Sequence, residues 1–152
     1  YPQDILVLGE DTLKDQIRSL GLYITKAHNI YKMSWQLLSE KYKWVIPRRI
    51  EELTQLAWVG IKTAKVVAHQ LYGEPYIAVD THVHRVCQRL WWVKSKTPEQ
   101  TSKLIEWLIY DTNKYLAHHA LILFGRYHCK ARNPLCEACP LQKYCTYFEK
   151  IR

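Results

Sequence analysis

Ahead of its last quarter the chain has a single cysteine, Cys87, so no disulfide framework can staple that part of the fold. Val, Ile and aromatic residues seldom alternate with polar ones at period two, which argues against a core built from strands. No uncharged run approaches the roughly eighteen residues of a membrane span, and no signal peptide is visible. Low-complexity stretches and repeats are missing as well, which excludes a linker-rich or solenoid chain. Methionine is absent from the first position, where Tyr1 stands, and the chain reads as a processed or partial product.

What is present suits a packed protein that faces a polyanion. The length of 152 residues fits one domain or two small ones. Hydrophobic residues make up 48%, enough for an interior, and a charged share of 24% argues against disorder. The net charge is +8 and the pI about 9.3. Such an excess of cation favours nucleic acid as partner, against the plainer reading of a merely soluble basic protein.

Apolar spacings of three and four residues recur and predict an all-α fold. Short helices are expected over 12–19 and 50–57. A longer one, capped by Thr25, would turn Ala27, Ile30, Tyr31, Ser34, Leu37 and Leu38 to one face. Helices over 63–72 and 83–90 follow. Thr97-Pro98-Glu99-Gln100 supplies an N-cap, a proline at the first helical position and a capping-box glutamine. That helix is expected to bury Leu104, Trp107 and Leu108. The last long helix, over 115–127, would bury His118, Leu121, Ile122 and Gly125.

Four cysteines crowd the end of the chain: Cys129, Cys136, Cys139 and Cys145, spaced C-x6-C-x2-C-x5-C. Disulfides between such close neighbours would close only short loops and stabilise little. Cationic Lys130, Arg132 and Lys143 favour the thiolates that a metal centre needs. Zinc sites usually pair cysteines two to four residues apart, and the first gap here is six. Spacing alone therefore points to a metal centre, with an iron–sulfur cluster ahead of zinc.

Leu56-Ala57-Trp58-Val59-Gly60-Ile61-Lys62-Thr63-Ala64 reads as two helices joined by a tight turn, a helix–hairpin–helix. The second helix's first turn would aim unpaired N–H groups at a phosphate, a grip that reads no bases. Lys62 falls in that first turn, where the macrodipole disfavours a positive charge. This is a poor place for a structural lysine and a good one for an amine nucleophile that forms a Schiff base with a sugar aldehyde. Eighteen residues on, Asp80 precedes a helix. Its plain role is an N-cap; its sharper role is to face Lys62, stabilise an oxocarbenium-like charge and take a proton from the amine.

Leu56 to Ala64, Ile77-Ala78-Val79-Asp80-Thr81-His82-Val83 with Arg85-Val86-Cys87, and His118-His119 through Leu121 to Arg126 into the cysteine loop together resemble the endonuclease III family. The resemblance runs from Gly21-Leu22-Tyr23 to Cys145. It implies a helix–hairpin–helix DNA glycosylase fold and a [4Fe–4S] cluster on Cys129, Cys136, Cys139 and Cys145. It further implies base-excision repair by a bifunctional glycosylase and abasic-site lyase acting on oxidised pyrimidines. Lys62 matches the Schiff-base nucleophile and Asp80 the catalytic carboxylate. Leu22 matches the residue that wedges into the gap left by a flipped base. Val59, Gly60 and Thr63 match the phosphate-binding turn, with Lys65, Arg85, Arg89, Arg126, Lys130 and Arg132 as supporting charges.

The implied partner is double-stranded DNA carrying a damaged base or an abasic site. The protein is expected to act as a monomer, off the membrane, in a reducing interior: the cytoplasm and nucleoid of a bacterium, or an organelle or nucleus. Two lobes are expected, 1–73 as an incomplete helical barrel ending in the hairpin and 74–152 as the cluster lobe, with Lys62 and Asp80 facing across a groove. A cluster-bearing DNA-binding module without catalysis is the competing reading. The sequence departs from the family in three places. Two helices that precede the position of Tyr1 in the family are missing. Ile61 replaces a basic residue. Ala57-Trp58 replaces Pro-Gly, and a tryptophan at a position that needs φ > 0 would cost about 1–3 kcal/mol, so an altered turn is expected.

Overall fold

The computed structural model describes residues 1–152 and contains helices and no strands. The chain divides into two compact units at Gly60–Ile61. Helix Ile61–Tyr72, assigned from sequence to the first lobe, therefore counts with the second unit, and Lys62 and Asp80 belong to the same unit.

The first unit holds α1 (Pro2–Leu8), α2 (Glu10–Gln16), α3 (Tyr23–Leu38) and the single turn α4 (Ile50–Leu53). Helix α1 was not expected from the sequence; both α1 and α2 pack on α3. Helix α3 buries Ala27, Ser34 and Leu37 as its periodicity predicts. Its cap differs: Leu22 in the left-handed conformation (φ 59°) precedes the first turn, and Thr25 lies inside the helix. The helix expected over 50–57 stops at Leu53, and Leu53 and Leu56 anchor the following turns in the interior.

The turn after Leu56 is not altered. Val59 N–H donates to the Leu56 carbonyl at 3.2 Å, and Trp58, third in the turn, takes φ 63°. That conformation ordinarily demands glycine. It is held from α3. The Gln36 Oε1 accepts from Ala57 N–H at 2.6 Å, and its Nε2 donates to the Gln55 carbonyl at 3.0 Å.

The second unit holds α5 (Ile61–Tyr72), α6 (Thr81–Arg89), α7 (Pro98–Leu108), α8 (Lys114–Leu123) and α9 (Thr146–Ile151). Helix α6 is the hub, packed by α7, α8 and α9 and by the π-turn Phe124–His128 that prolongs α8. Ile77, Val79, Val83, Val86, Cys87, Leu90, Val93, Ile105 and Leu121 form the core. Cys87 is fully buried and free, and burial pushes its thiol up to about 12. Gly125 allows α6 and the π-turn to touch: a Cβ there would meet the His82 Cβ at 2.9 Å and its carbonyl oxygen at 3.1 Å.

Helix α7 starts as its sequence predicts, with Thr97 Oγ1 accepting from Gln100 N–H at 3.3 Å. The glutamine closes back on Lys96 N–H at 2.8 Å, one residue before the cap. Its buried face is Thr101, Ser102 and Ile105; Leu104, Trp107 and Leu108 point outward, Trp107 with 91% exposure. The helical period holds, and its phase turns the opposite face inward. Two hydroxyls occupy the inner face because polar partners wait there: Ser102 receives Lys65 and donates to the Ile77 carbonyl, and Thr101 joins Ser95 and His84.

Lys65 corrects a sequence expectation in the same way. Its side chain is buried, with Nζ 2.6 Å from both Ser102 Oγ and Glu106 Oε1, and no surface is left for a phosphate. Removing one partner of a buried pair strands the other charge. Lys65→Ala is expected to destabilise the protein by about 3–5 kcal/mol in urea unfolding, and Trp107→Gln to change it by no more than about 0.5 kcal/mol.

Candidate active site and iron–sulfur loop

Asp80 is the N-cap of α6. Its Oδ1 accepts from His82 N–H at 2.8 Å and from Val83 N–H at 2.9 Å. Two amides thus fix the carboxylate plane and leave Oδ2 to face outward from the helix. Lys62, in the first turn of α5, brings its Nζ to 4.0 Å from that Oδ2. The lysine side chain is 52% exposed and the aspartate 14%. The acid is therefore set in the wall while the amine stays accessible, close but not locked in a short hydrogen bond. Thr63, beside it, is exposed.

His118 on α8 was noticed in sequence only as an inward residue. Its Nδ1 is buried and without a hydrogen-bond partner. Burial first, then the charge of His119, lowers its pKa, while a hydrogen bond to the Ala78 backbone and the charge of Asp80 pull the other way. The result is a neutral imidazole within the electrostatic reach of Lys62 and Asp80. A titratable side chain on a predicted core face was the signal available in the sequence.

The four cysteines line one cavity together with Arg89, Leu90, Phe124, His128, Tyr147 and Phe148, among others. No three His, Cys, Asp or Glu side chains converge closely enough to hold a single metal ion. Four thiols spread around one cavity fit a larger polynuclear group. Their chemistry asks for one: the Cys136 thiol is pushed up by burial and then by Cys129 and Cys145, and mutual repulsion of this kind is relieved when cationic metal joins the thiolates. The cation that pulls Cys136 the other way is Arg89.

Two arginines of α6 tie this loop down. Arg89 Nη1 donates to Cys129 Sγ at 3.3 Å and to the Lys130 carbonyl at 2.7 Å, and its guanidinium lies 4.1 Å from the Tyr147 ring centroid. Arg85 Nε donates to the Cys129 carbonyl at 3.0 Å, and its Nη2 donates to the Gly125 carbonyl at 2.5 Å. The same Nη2 lies 3.3 Å from His82 Nδ1. Arg85 and Arg89, expected as phosphate contacts, spend these donors inside the fold. Lys130 is half-buried. In the first unit, Leu22 is 76% exposed, Gly60 is exposed and Val59 half-buried.

Residues 1–109 match the HhH-GPD superfamily of base excision DNA repair proteins, and residues 129–145 match the iron-sulfur binding domain of endonuclease III. The chain is 44% identical to the Endonuclease III of Rickettsia felis over 146 residues, which is 96% of this chain and 68% of that one. The chain belongs to the endonuclease III family. Identity to the Endonuclease III of Escherichia coli is 40% over 150 residues, covering 99% of this chain and 71% of the relative. A solved endonuclease III–DNA covalent intermediate superposes with a TM-score of 0.93 at 41% identity, covering 99% of this chain and 71% of that one. A thermostable thymine-DNA glycosylase shares the fold at 24% identity, with a TM-score of 0.88. As in this family, the cofactor is a [4Fe–4S] cluster. Arg89→Gln removes the donor to Cys129 and the clamp on the loop. It is expected to speed loss of absorbance near 400 nm under chelator several-fold, with helix content unchanged by circular dichroism.

Proposed function

We propose that the protein is a DNA N-glycosylase with an associated abasic-site lyase activity, removing oxidised pyrimidines from duplex DNA. The observation that carries this reading is the Lys62 Nζ to Asp80 Oδ2 distance of 4.0 Å, with the other aspartate oxygen fixed by two amides. An exposed amine beside a half-sheltered carboxylate is the arrangement that imine chemistry on a sugar needs.

In this reading a damaged nucleotide leaves the stack, because C1′ cannot be reached inside the duplex. The Asp80 carboxylate steadies the positive charge that develops on the sugar as the base departs, and takes the proton that the Lys62 nitrogen sheds once its bond to C1′ has formed. The free amine forms a bond to C1′ as the bond to the base breaks, and the base departs with the electron pair. The C1′–O4′ bond then breaks, O4′ taking the proton held by Asp80, to give the imine, and loss of a C2′ proton breaks the C3′–O bond and expels the 3′ phosphate by β-elimination. His118, kept neutral by burial, adds no second positive charge beside the amine. Val59, Gly60, Thr63 and Lys130 support the DNA strand, and Leu22 fills the gap left by the extruded base. Cys129, Cys136, Cys139 and Cys145 hold the cluster, which when bound crosslinks a loop of little regular structure. The protein acts as a monomer in the cytoplasm, on the chromosome; no helix is long and apolar enough to cross a membrane.

Borohydride trapping on a duplex with one abasic site tests the reading. A covalent adduct is expected from the wild type and none from Lys62→Ala. Asp80→Asn keeps a capping oxygen, so stability should stay within about 0.5 kcal/mol, while adduct formation should slow on the order of 10²–10⁴-fold. Duplex binding without any adduct would leave only a DNA-binding module.

A further inference from the structure

Trp58 stands in a backbone conformation that glycine adopts freely and a bulky residue does not. Its φ is 63°, third in a turn closed by the 3.2 Å hydrogen bond from Val59 N–H to the Leu56 carbonyl. The side chain is not taken into the core in return, being 56% exposed. The turn is over-determined from elsewhere: Leu56 is buried below it, and Gln36 grips the chain at Ala57 N–H and at the Gln55 carbonyl. Gln55 is held in addition by Lys41. Strain kept in place by its surroundings, and not relieved by packing, points to a use for the side chain outside the fold.

The chemistry around the turn narrows that use. From Ala57 to Ile61 the chain has no charged side chain, although the protein carries a net charge of +8. Ile61 is also exposed. A hairpin meant only to attract phosphate would present cations here; this one presents amides, a tryptophan and an isoleucine. We propose that the Trp58 ring packs on the deoxyribose face of the DNA strand held by the hairpin, an apolar contact that adds affinity without salt dependence. The inference rests on the glycosylase reading above, which brings the hairpin to DNA.

Anisotropy with a duplex containing a tetrahydrofuran abasic analogue, measured at several salt concentrations, tests it. Trp58→Gly relieves the φ strain and removes the ring; Trp58→Phe keeps a ring and the strain. For Trp58→Gly the expected result is a Kd raised about five- to tenfold with an unchanged slope of log K against log salt. Its Tm should rise by about 2–4 °C, which rules out misfolding as the cause. Trp58→Phe is expected to bind within about twofold of the wild type. Unchanged or tighter binding by Trp58→Gly overturns the proposal, as does a weakened slope, which would mean that phosphate contact was lost instead. Should the wild type trap no adduct yet bind the duplex, the glycosylase reading fails while the Trp58 contact is still decided by the same titration. Should the wild type not bind duplex at all, both fail.

Discussion

A single side chain, Asp80, divides its two oxygens between its own helix and the amine of Lys62. Oδ1 satisfies two amides that no helical carbonyl can reach, and so starts α6. Oδ2 is then fixed in direction by a covalent angle, and Lys62 meets it. The geometry of the pair depends on α6 being well seated, and α6 is the most surrounded helix of its unit. Capping the helix and facing Lys62 are therefore not alternatives between which the residue must be sorted. The cap is what aims the acid.

The same helix connects the acid end to the cysteine loop. Asp80 begins it, and Arg85 and Arg89, one and two turns further on, donate to Gly125, Cys129, Lys130 and Ala131. Charge that looks like a DNA-facing surface in composition is in part structural cement. Lys65 with Glu106 and Lys114 with Asp111 make the same point, since both lysines are buried. The net charge of +8 thus overstates what is free to meet a polyanion.

Much was legible in the sequence for physical reasons. Helix periodicity, the Thr97-Pro98 start, the first-turn position of Lys62, the capping position of Asp80 and the clustered cysteines all rest on local chemistry that survives folding. What was not legible depended on partners distant in the chain. The inner face of α7 is polar at Thr101 and Ser102 because His84 and Lys65, 17 and 37 residues away in the chain, lie opposite. The turn at Trp58 was expected to change because the local preference forbids it. Gln36, more than twenty residues earlier, overrides that preference with two hydrogen bonds. Leu22 likewise begins α3 in a left-handed conformation that no cap preference suggests.

Gly125 sets the distance at which the π-turn lies on α6, with His82 as the contact. That residue donates one of the two amide hydrogen bonds to Asp80. Gly125 is thus a spacer beside the residue that holds the Asp80 carboxylate. A methyl group added there would wedge two segments apart at the very residue that orients the acid, so a change with no charge to alter would register in the direction of a carboxylate.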